Sequence, residues 1–207
     1  MKVLVACEES QTVCKAFRKR GHEAYSCDIM ECSGGHPEWH IKGDVLNVLN
    51  PTQLIGVNEF GIVFETMDGL IHDVEKWDLI IAHPPCTYLC MSSQKHCNVE
   101  VYGQKAVERI AKRDEAVEFF MQFVNADCKK IAIENPVGVM TRNYRKADQY
   151  IQPLQFGHPT SKKNGFVVKG FAKTCSDKYS RTGVSHIWNG KKMGQMVLGK
   201  FFDTSVK

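Results

Sequence analysis

The chain has 207 residues, 43% apolar and 24% charged, with a formal charge of +4. That length holds one compact domain with a real core and cramps two, and the composition excludes a disordered or fibrous chain. No apolar run approaches the roughly 20 residues that cross a bilayer, and the apolar stretch in MKVLVACEES is too short for a signal peptide, so a soluble cytoplasmic protein without a membrane partner is expected. Nine cysteines are an odd number in a chain of this length, which favours free thiols over a disulfide framework.

In chain order, Val3-Leu4-Val5-Ala6-Cys7 is a continuous apolar run suited to a central parallel strand. Ser10 is placed to cap a helix whose face is Val13, Cys14 and Phe17, with Gly21 as its C-terminal stop. A second strand, 24–28, follows, and a Gly- and His-containing loop, 32–40, leads to a short element at 41–45. Residues 60–75 read as an inserted hairpin turned at Asp68-Gly69. The strand at 77–82 runs into His83-Pro84-Pro85-Cys86, where two prolines end pairing. From Gln104 to Asn125, Val107, Ile110, Val117, Phe120, Met121 and Val124 recur at helical spacing. Residues 130–134 form another buried-type strand, cut off by Asn135-Pro136, and 151–156 with 166–168 form a late antiparallel hairpin. The expected fold is α/β: a doubly wound, mostly parallel sheet in a single domain over 1–207, carrying the small hairpin insertion.

In such a sheet ligands lie beyond the carboxyl ends of the strands. Asp28, Asp44, His83 to Cys86 and Glu134 to Pro136 all fall at strand ends, so the reactive residues converge on one rim. Cys86, on a Pro-Pro loop, is a candidate nucleophile; the thiol's ordinary pKa of about 8.5 must be lowered by positive charge or a helix N-terminus for this role. Its plainer alternative is a small core residue. Glu134, in Ile-Glu-Asn-Pro, is a candidate proton donor, or a salt-bridging acid. Cys27, Cys32, His36 and His40 combine zinc-ligand types at loose spacing, and no metal site is assigned to them. Basic residues gather late in the chain, among them Arg142, Arg145, Lys146, Lys162 and Lys163; this is the half expected to meet a polyanion if one binds.

His83-Pro84-Pro85-Cys86-Thr87-Tyr88 and Ile133-Glu134-Asn135-Pro136 resemble the Pro-Cys and Glu-Asn motifs of DNA cytosine-5 methyltransferases. The segment 156–168, FGHPTSKKNGFVV, resembles the family's later Phe-Gly-x-Pro-Gln-x-Arg-x-Arg motif, and from Met1 to about Gly170 the chain is similar to small methyltransferase-like proteins of bacteriophages and mobile elements. The resemblance implies a Rossmann-like methyltransferase fold, S-adenosylmethionine as cofactor, and methyl transfer to cytosine carbon 5 in DNA or a related nucleic acid or nucleotide. It makes Cys86 the nucleophile, Glu134 the acid at ring nitrogen 3 and Asn135 the residue that orients the loop. Lys162 and Asn164 stand where the family has two arginines; the lysine lacks the bidentate fork and the asparagine lacks the charge.

For the cofactor, the resemblance puts Asp28 on the ribose hydroxyls, Ile29 against adenine, Asp44 and Val45 at the adenine edge, and Pro84 beside them. Cys7-Glu8-Glu9-Ser10-Gln11 replaces the family's Gly-rich turn, with Ser10 at the small position and Glu8 or Glu9 facing the cofactor's ammonium. Too few residues separate Val168 from a last motif at Gly194-Gln195-Met196-Val197 for a large target-recognition domain, which leaves room for a protein partner in recognition. Two other readings stand beside this one: a methyltransferase acting on exocyclic amines, and a non-catalytic module of the same fold that binds nucleic acid or a host protein.

Overall fold

The computed structural model describes residues 1–53, 59–152 and 164–171. Strand β1 (Lys2–Ala6), helix α1 (Thr12–Arg18), strand β2 (Glu23–Asp28) and strand β3 (His40–Lys42) open the chain. Strands β4 (Thr52–Gln53), β5 (Phe60–Glu65) and β6 (Ile71–Val74) form a separate three-stranded sheet. After β7 (Leu79–Ala82) come the short helices α2 (Met91–Gln94) and α3 (Val99–Tyr102), and the long helix α4 (Gln104–Asn125). Strand β8 (Ile131–Pro136), helix α5 (Met140–Asn143) and strands β9 (Gln149–Ile151) and β10 (Asn164–Lys169) complete the described elements.

Seven strands make the main sheet, in the order β3-β2-β1-β7-β8-β10-β9. The pairs β1–β2, β2–β3, β1–β7 and β7–β8 are parallel, while β10 is antiparallel to both β8 and β9. The protein is therefore mixed α/β with a mostly parallel sheet. Strand order reverses between β1 and β7, and the crevice beyond the carboxyl ends at such a switch point is where open α/β sheets bind ligands.

The central strands are apolar throughout because both of their faces are covered. On one side Val13, Cys14 and Phe17 of α1 pack with Val3, Val5, Leu79 and Ile81. On the other, Phe120 and Phe123 of α4 pack with Leu4, Ala6, Ile80, Ala82, Ile131 and Ile133, and this core continues into Ile62, Phe64 and Val74 of the small sheet. Both phenylalanines are fully buried; truncating such a ring to alanine costs about 3–5 kcal/mol.

Several expectations are corrected. The β8 strand runs through Asn135 and Pro136, because β10 pairs with it to its end, Asn164 opposite Pro136. The late hairpin starts earlier, at Gln149, with Asn164 opposite Ile151; its expected residues 153–156 lie outside the described residues. Residues 60–75 form the expected hairpin, with Gly69 at φ 85° in its turn, and β4 adds a third strand. Val107, expected on the buried face of α4, is 45% exposed, because only the C-terminal half of that helix packs on the sheet.

Helix α1 is also capped differently from expectation. The Ser10 hydroxyl meets that of Thr12 at 3.2 Å, and the carboxylate of Glu8 accepts the Val13 and Cys14 N–H groups at 2.6 and 3.1 Å. Glu8 thus satisfies two of the first-turn donors that a helix leaves unpaired. Burial raises the Glu8 pKa to about 7, against the opposing pull of those two N–H bonds.

Folded Glu8 holds its proton up to about pH 7, whereas the unfolded residue loses it near 4.5. Its contribution to stability is therefore greatest below pH 4.5, falls as pH rises, and is flat above pH 7. In denaturant unfolding, the stability of the wild type relative to Glu8→Gln should fall by on the order of 3 kcal/mol between pH 4 and pH 8. A pH-independent difference between the two proteins would contradict this assignment.

Candidate functional site

The carboxyl ends of β1, β2, β7 and β8 face one rim, and the residues singled out in the sequence occupy it in two groups. The first surrounds the turn after β1. Cys7 and Gln11 adopt left-handed backbone at φ 57° and 55°, so the turn is made without glycine, at a cost of about 1 kcal/mol or more per residue. Gln11 is fully buried and its amide clasps the backbone of His36: Nε2 donates to the carbonyl at 2.7 Å and Oε1 accepts the N–H at 3.0 Å. The Ser33 N–H donates to the Glu9 carbonyl at 3.0 Å, and the Ser33 hydroxyl to the Glu9 carboxylate. Gly34 lies so close that a Cβ there would come within 2.5 Å of the Gln11 side chain.

Asp28 and Asp44 approach this turn from the ends of β2 and β3. Burial, and then the carboxylates of Asp28 and Asp44, push the Cys7 thiol up to about 12, so it is a neutral donor beside two acids. One oxygen of each carboxylate is used locally: Asp28 Oδ1 accepts the Met30 N–H at 3.0 Å and Asp44 Oδ1 that of Leu46 at 2.9 Å. Neither Oδ2 has a hydrogen-bond partner among the described residues. Ile29, next to Asp28, is 75% exposed, an apolar side chain on open display at the rim.

One of the expected cofactor contacts is revised, and a second is narrowed to backbone. Glu8 is spent on α1, and both its oxygens face N–H groups rather than the rim. Val45 turns its side chain into the core, leaving the backbone of this position for any ligand. The four zinc-type residues do not assemble. The ring nitrogens of His40 engage the Ser26 hydroxyl and the Met30 carbonyl, His36 stacks on Trp39, and Cys27 donates to the Gly43 carbonyl. No cluster of three or more His, Cys, Asp or Glu fit for a metal occurs among the described residues.

The second group is built on β7 and β8. Their register pairs Ala82 with Ile133, so one residue further His83 comes beside Glu134, and the His83 N–H still bonds the Ala6 carbonyl at 3.0 Å. Ile133 belongs to the α4-side core and Phe166, opposite Glu134, to the α1-side core. Strand alternation therefore sends Glu134 and Asn164 toward the α1 side. Past buried Pro84, Cys86 is half-buried and its carbonyl accepts the N–H groups of Leu89 and Cys90, which closes a single turn. The thiol is free.

The two loops are joined through their backbones. The Val139 N–H donates to the Leu89 carbonyl at 2.9 Å, and Cys90 bridges Gly138. Only glycine permits this approach, since a Cβ on Gly138 would stand 2.1 Å from the Leu89 oxygen. The segment that follows Cys86 is thereby fixed to the segment that follows Glu134.

Buried polar atoms lie on both faces here. By the same alternation His83 Nε2 and Asn164 Oδ1 are on the α1 side with Glu134, and Asn135 Oδ1 is on the opposite face; all three are sealed from solvent without a hydrogen-bond partner among the described residues. Leaving such an atom unpaired costs about 1–3 kcal/mol, so the pair on the α1 side marks a place where a ligand's polar groups are expected. Burial lowers the His83 pKa to about 4, which keeps its ring neutral at physiological pH. Apart from its place in the Pro-Cys motif, His83 carried no role in the sequence reading; the signal for it was a polar residue continuing a buried strand. Lys162 and the 194–197 motif lie outside the described residues.

No model of a known protein family matches the chain, and no curated protein matches it.

Gly138→Ala is expected to destabilise the protein by about 2 kcal/mol, seen as a lowered Tm, and to speed alkylation of Cys86 as the two loops part. An unchanged Tm and alkylation rate would show that the bridge does not fix the loop. In NMR titration the His83 ring signals should stay constant from pH 5 to pH 8, and movement near pH 6.5 would contradict its burial.

Proposed function

We propose that this protein is an S-adenosylmethionine-dependent methyltransferase acting on cytosine carbon 5 in a nucleic acid, with Cys86 as nucleophile. The reading is carried by the backbone junction that ties the segment after the half-buried Cys86 to the segment after Glu134, with buried His83 Nε2 and Asn164 Oδ1 on the strands that flank Glu134. Counted within the main sheet, the strand order is 3-2-1-4-5-7-6. Its first five positions follow the doubly wound order expected of a Rossmann-like sheet.

The residues at the first group suit the adenosine end of the cofactor. Asp28 Oδ2 is placed to accept from a ribose diol, Ile29 offers an apolar face to adenine, and Asp44 with the backbone of Val45 borders its edge. When bound, S-adenosylmethionine supplies an electrophilic methyl group. The Cys7 thiol, held neutral, adds a donor rather than a competing nucleophile. Ser10 and the peptides of the strained turn remain as the chain's contribution at the methionine end.

The chain's own chemistry follows from the electronics of cytosine, whose carbon 5 is a poor nucleophile while the 5,6 double bond is intact. Addition of the Cys86 sulfur pair to carbon 6 breaks that π bond, and protonation of nitrogen 3 by Glu134 absorbs the charge, leaving carbon 5 an enamine carbon. After methylation, loss of the carbon 5 proton to a base returns its electron pair to the ring and expels Cys86 as thiolate, while nitrogen 3 gives its proton back to Glu134. Neutral His83 and Asn164, on the strands flanking Glu134, offer hydrogen bonds to the exocyclic groups of the base. Asn135, next along β8, turns to the opposite face and lines a cleft with Met140 and Arg145.

The test uses an oligonucleotide containing 5-fluorocytosine, incubated with the protein and S-adenosylmethionine. Fluorine cannot leave as the proton does, so the expected outcome is a covalent adduct, absent in Cys86→Ser and formed at least about 100-fold more slowly by Glu134→Gln. Methyl transfer that persists in Cys86→Ser favours an exocyclic amine as the acceptor, and binding of nucleic acid without methyl transfer favours a non-catalytic module.

A further inference from the structure

Beside the Cys86 loop lies a second site that the proposed chemistry does not use. A cavity of about 380 Å³ is lined by Tyr88, His96, Tyr102, Lys105, Arg109 and Lys112, with Glu108 among them. It exists because the N-terminal half of α4 extends past the sheet and packs against the turns that follow Cys86. Lys105, Arg109 and Lys112 recur at helical spacing and share one face. Three cations against one carboxylate leave the lining cationic. Neither Lys105 nor Lys112 has an ion pair or hydrogen bond among the described residues, although Glu108 stands between them. Arg109 is held in place: its guanidinium lies 5.2 Å from the centre of the Tyr88 ring, and Nε donates to the Ser93 carbonyl at 3.3 Å. Tyr102 is 41% exposed, and its ring centre is 5.4 Å from that of His96.

Two unpaired lysines, an arginine held beside them and the exposed ring of Tyr102 suit a phosphodiester backbone whose bases are free to stack. The volume suits about one nucleotide. In a duplex the base faces are covered by their neighbours, so rings set in a cavity are reached only by an unstacked base. We propose that this cavity seats a nucleotide of a single-stranded nucleic acid, phosphate on Lys105, Arg109 and Lys112 and base on Tyr102. Tyr88 is two residues from Cys86, so the seated nucleotide is a near neighbour of the target base; that adjacency rests on the function proposed above, whereas the binding does not. The substrate is then a single-stranded polymer rather than a free nucleotide.

Fluorescence anisotropy with a labelled oligothymidylate of about 12 residues separates the two ideas, because it contains no cytosine and reads the cavity without the chemistry. The wild type should bind it, with log affinity falling against log salt at a slope of at least about 0.7 in magnitude, the value for the one phosphate neutralised in the cavity. Lys105→Glu with Lys112→Glu should weaken binding at least tenfold and flatten that slope, and Tyr102→Ala should weaken it about tenfold at unchanged slope. Lys19→Glu with Arg20→Glu, the same charge change at two exposed positions just past α1, should leave affinity within about twofold, and a duplex of equal length should bind less tightly. Equal losses in Lys19→Glu with Arg20→Glu, full affinity in the cavity variants, or thymidine monophosphate binding as tightly as the oligomer would overturn the proposal. Oligothymidylate binding with no adduct on 5-fluorocytosine would leave the cavity standing and remove the methyltransferase.

Discussion

The parallel pairing of β7 with β1 on one side and β8 on the other is the constraint on which the rest of the molecule depends. Val3, Leu4, Val5 and Ala6 are matched residue by residue with Leu79 to Ala82, and Ile80 to Ala82 with Ile131 to Ile133. Every one of these side chains is buried, so a slip of one residue would exchange the two packed faces and is resisted by both cores. Because the strands are parallel and in register, the matched block ends at one level across them. Cys7, His83 and Glu134 are each the first residue past that matched block or its continuation, and the rim is the consequence.

Polar and strained features gather at this rim, and the interior holds few. Two left-handed non-glycine residues, a buried carboxylate capping α1 and three buried polar atoms without partners all lie within a few residues of strand ends. Each is a local cost that the packed sheet sustains, and concentration of such costs in one place is what a preorganised binding surface requires. The backbone junction of Leu89 and Cys90 with Gly138 serves the same end, because it couples the loop carrying the thiol to the strand carrying the acid without using a side chain of either motif.

The N-terminal half of α4 extends the surface in a different way. Where the helix leaves the sheet its apolar pattern is no longer buried, and its cations face a cavity closed by the aromatic residues of the preceding turns. The rim and the cavity thus meet at Tyr88. The described residues contain no helix long and apolar enough to cross a membrane.

Local pattern in the sequence was enough to determine the alternation of strands and helices, the bounds of α4, the Asp68-Gly69 hairpin and the end of β7 just before the loop that carries Cys86, because each depends on periodicity or on a turn residue within a short window. Tertiary structure alone decided which acid caps α1, that β8 continues through Pro136, that Val107 is exposed, and that Gly138 must be glycine. Those outcomes depend on partners many residues away: β10 beside β8, the sheet edge beneath α4, and the Leu89 carbonyl against Gly138. The ends of an element are set by what pairs with it and packs on it in space, and spacing along the chain carries no record of that.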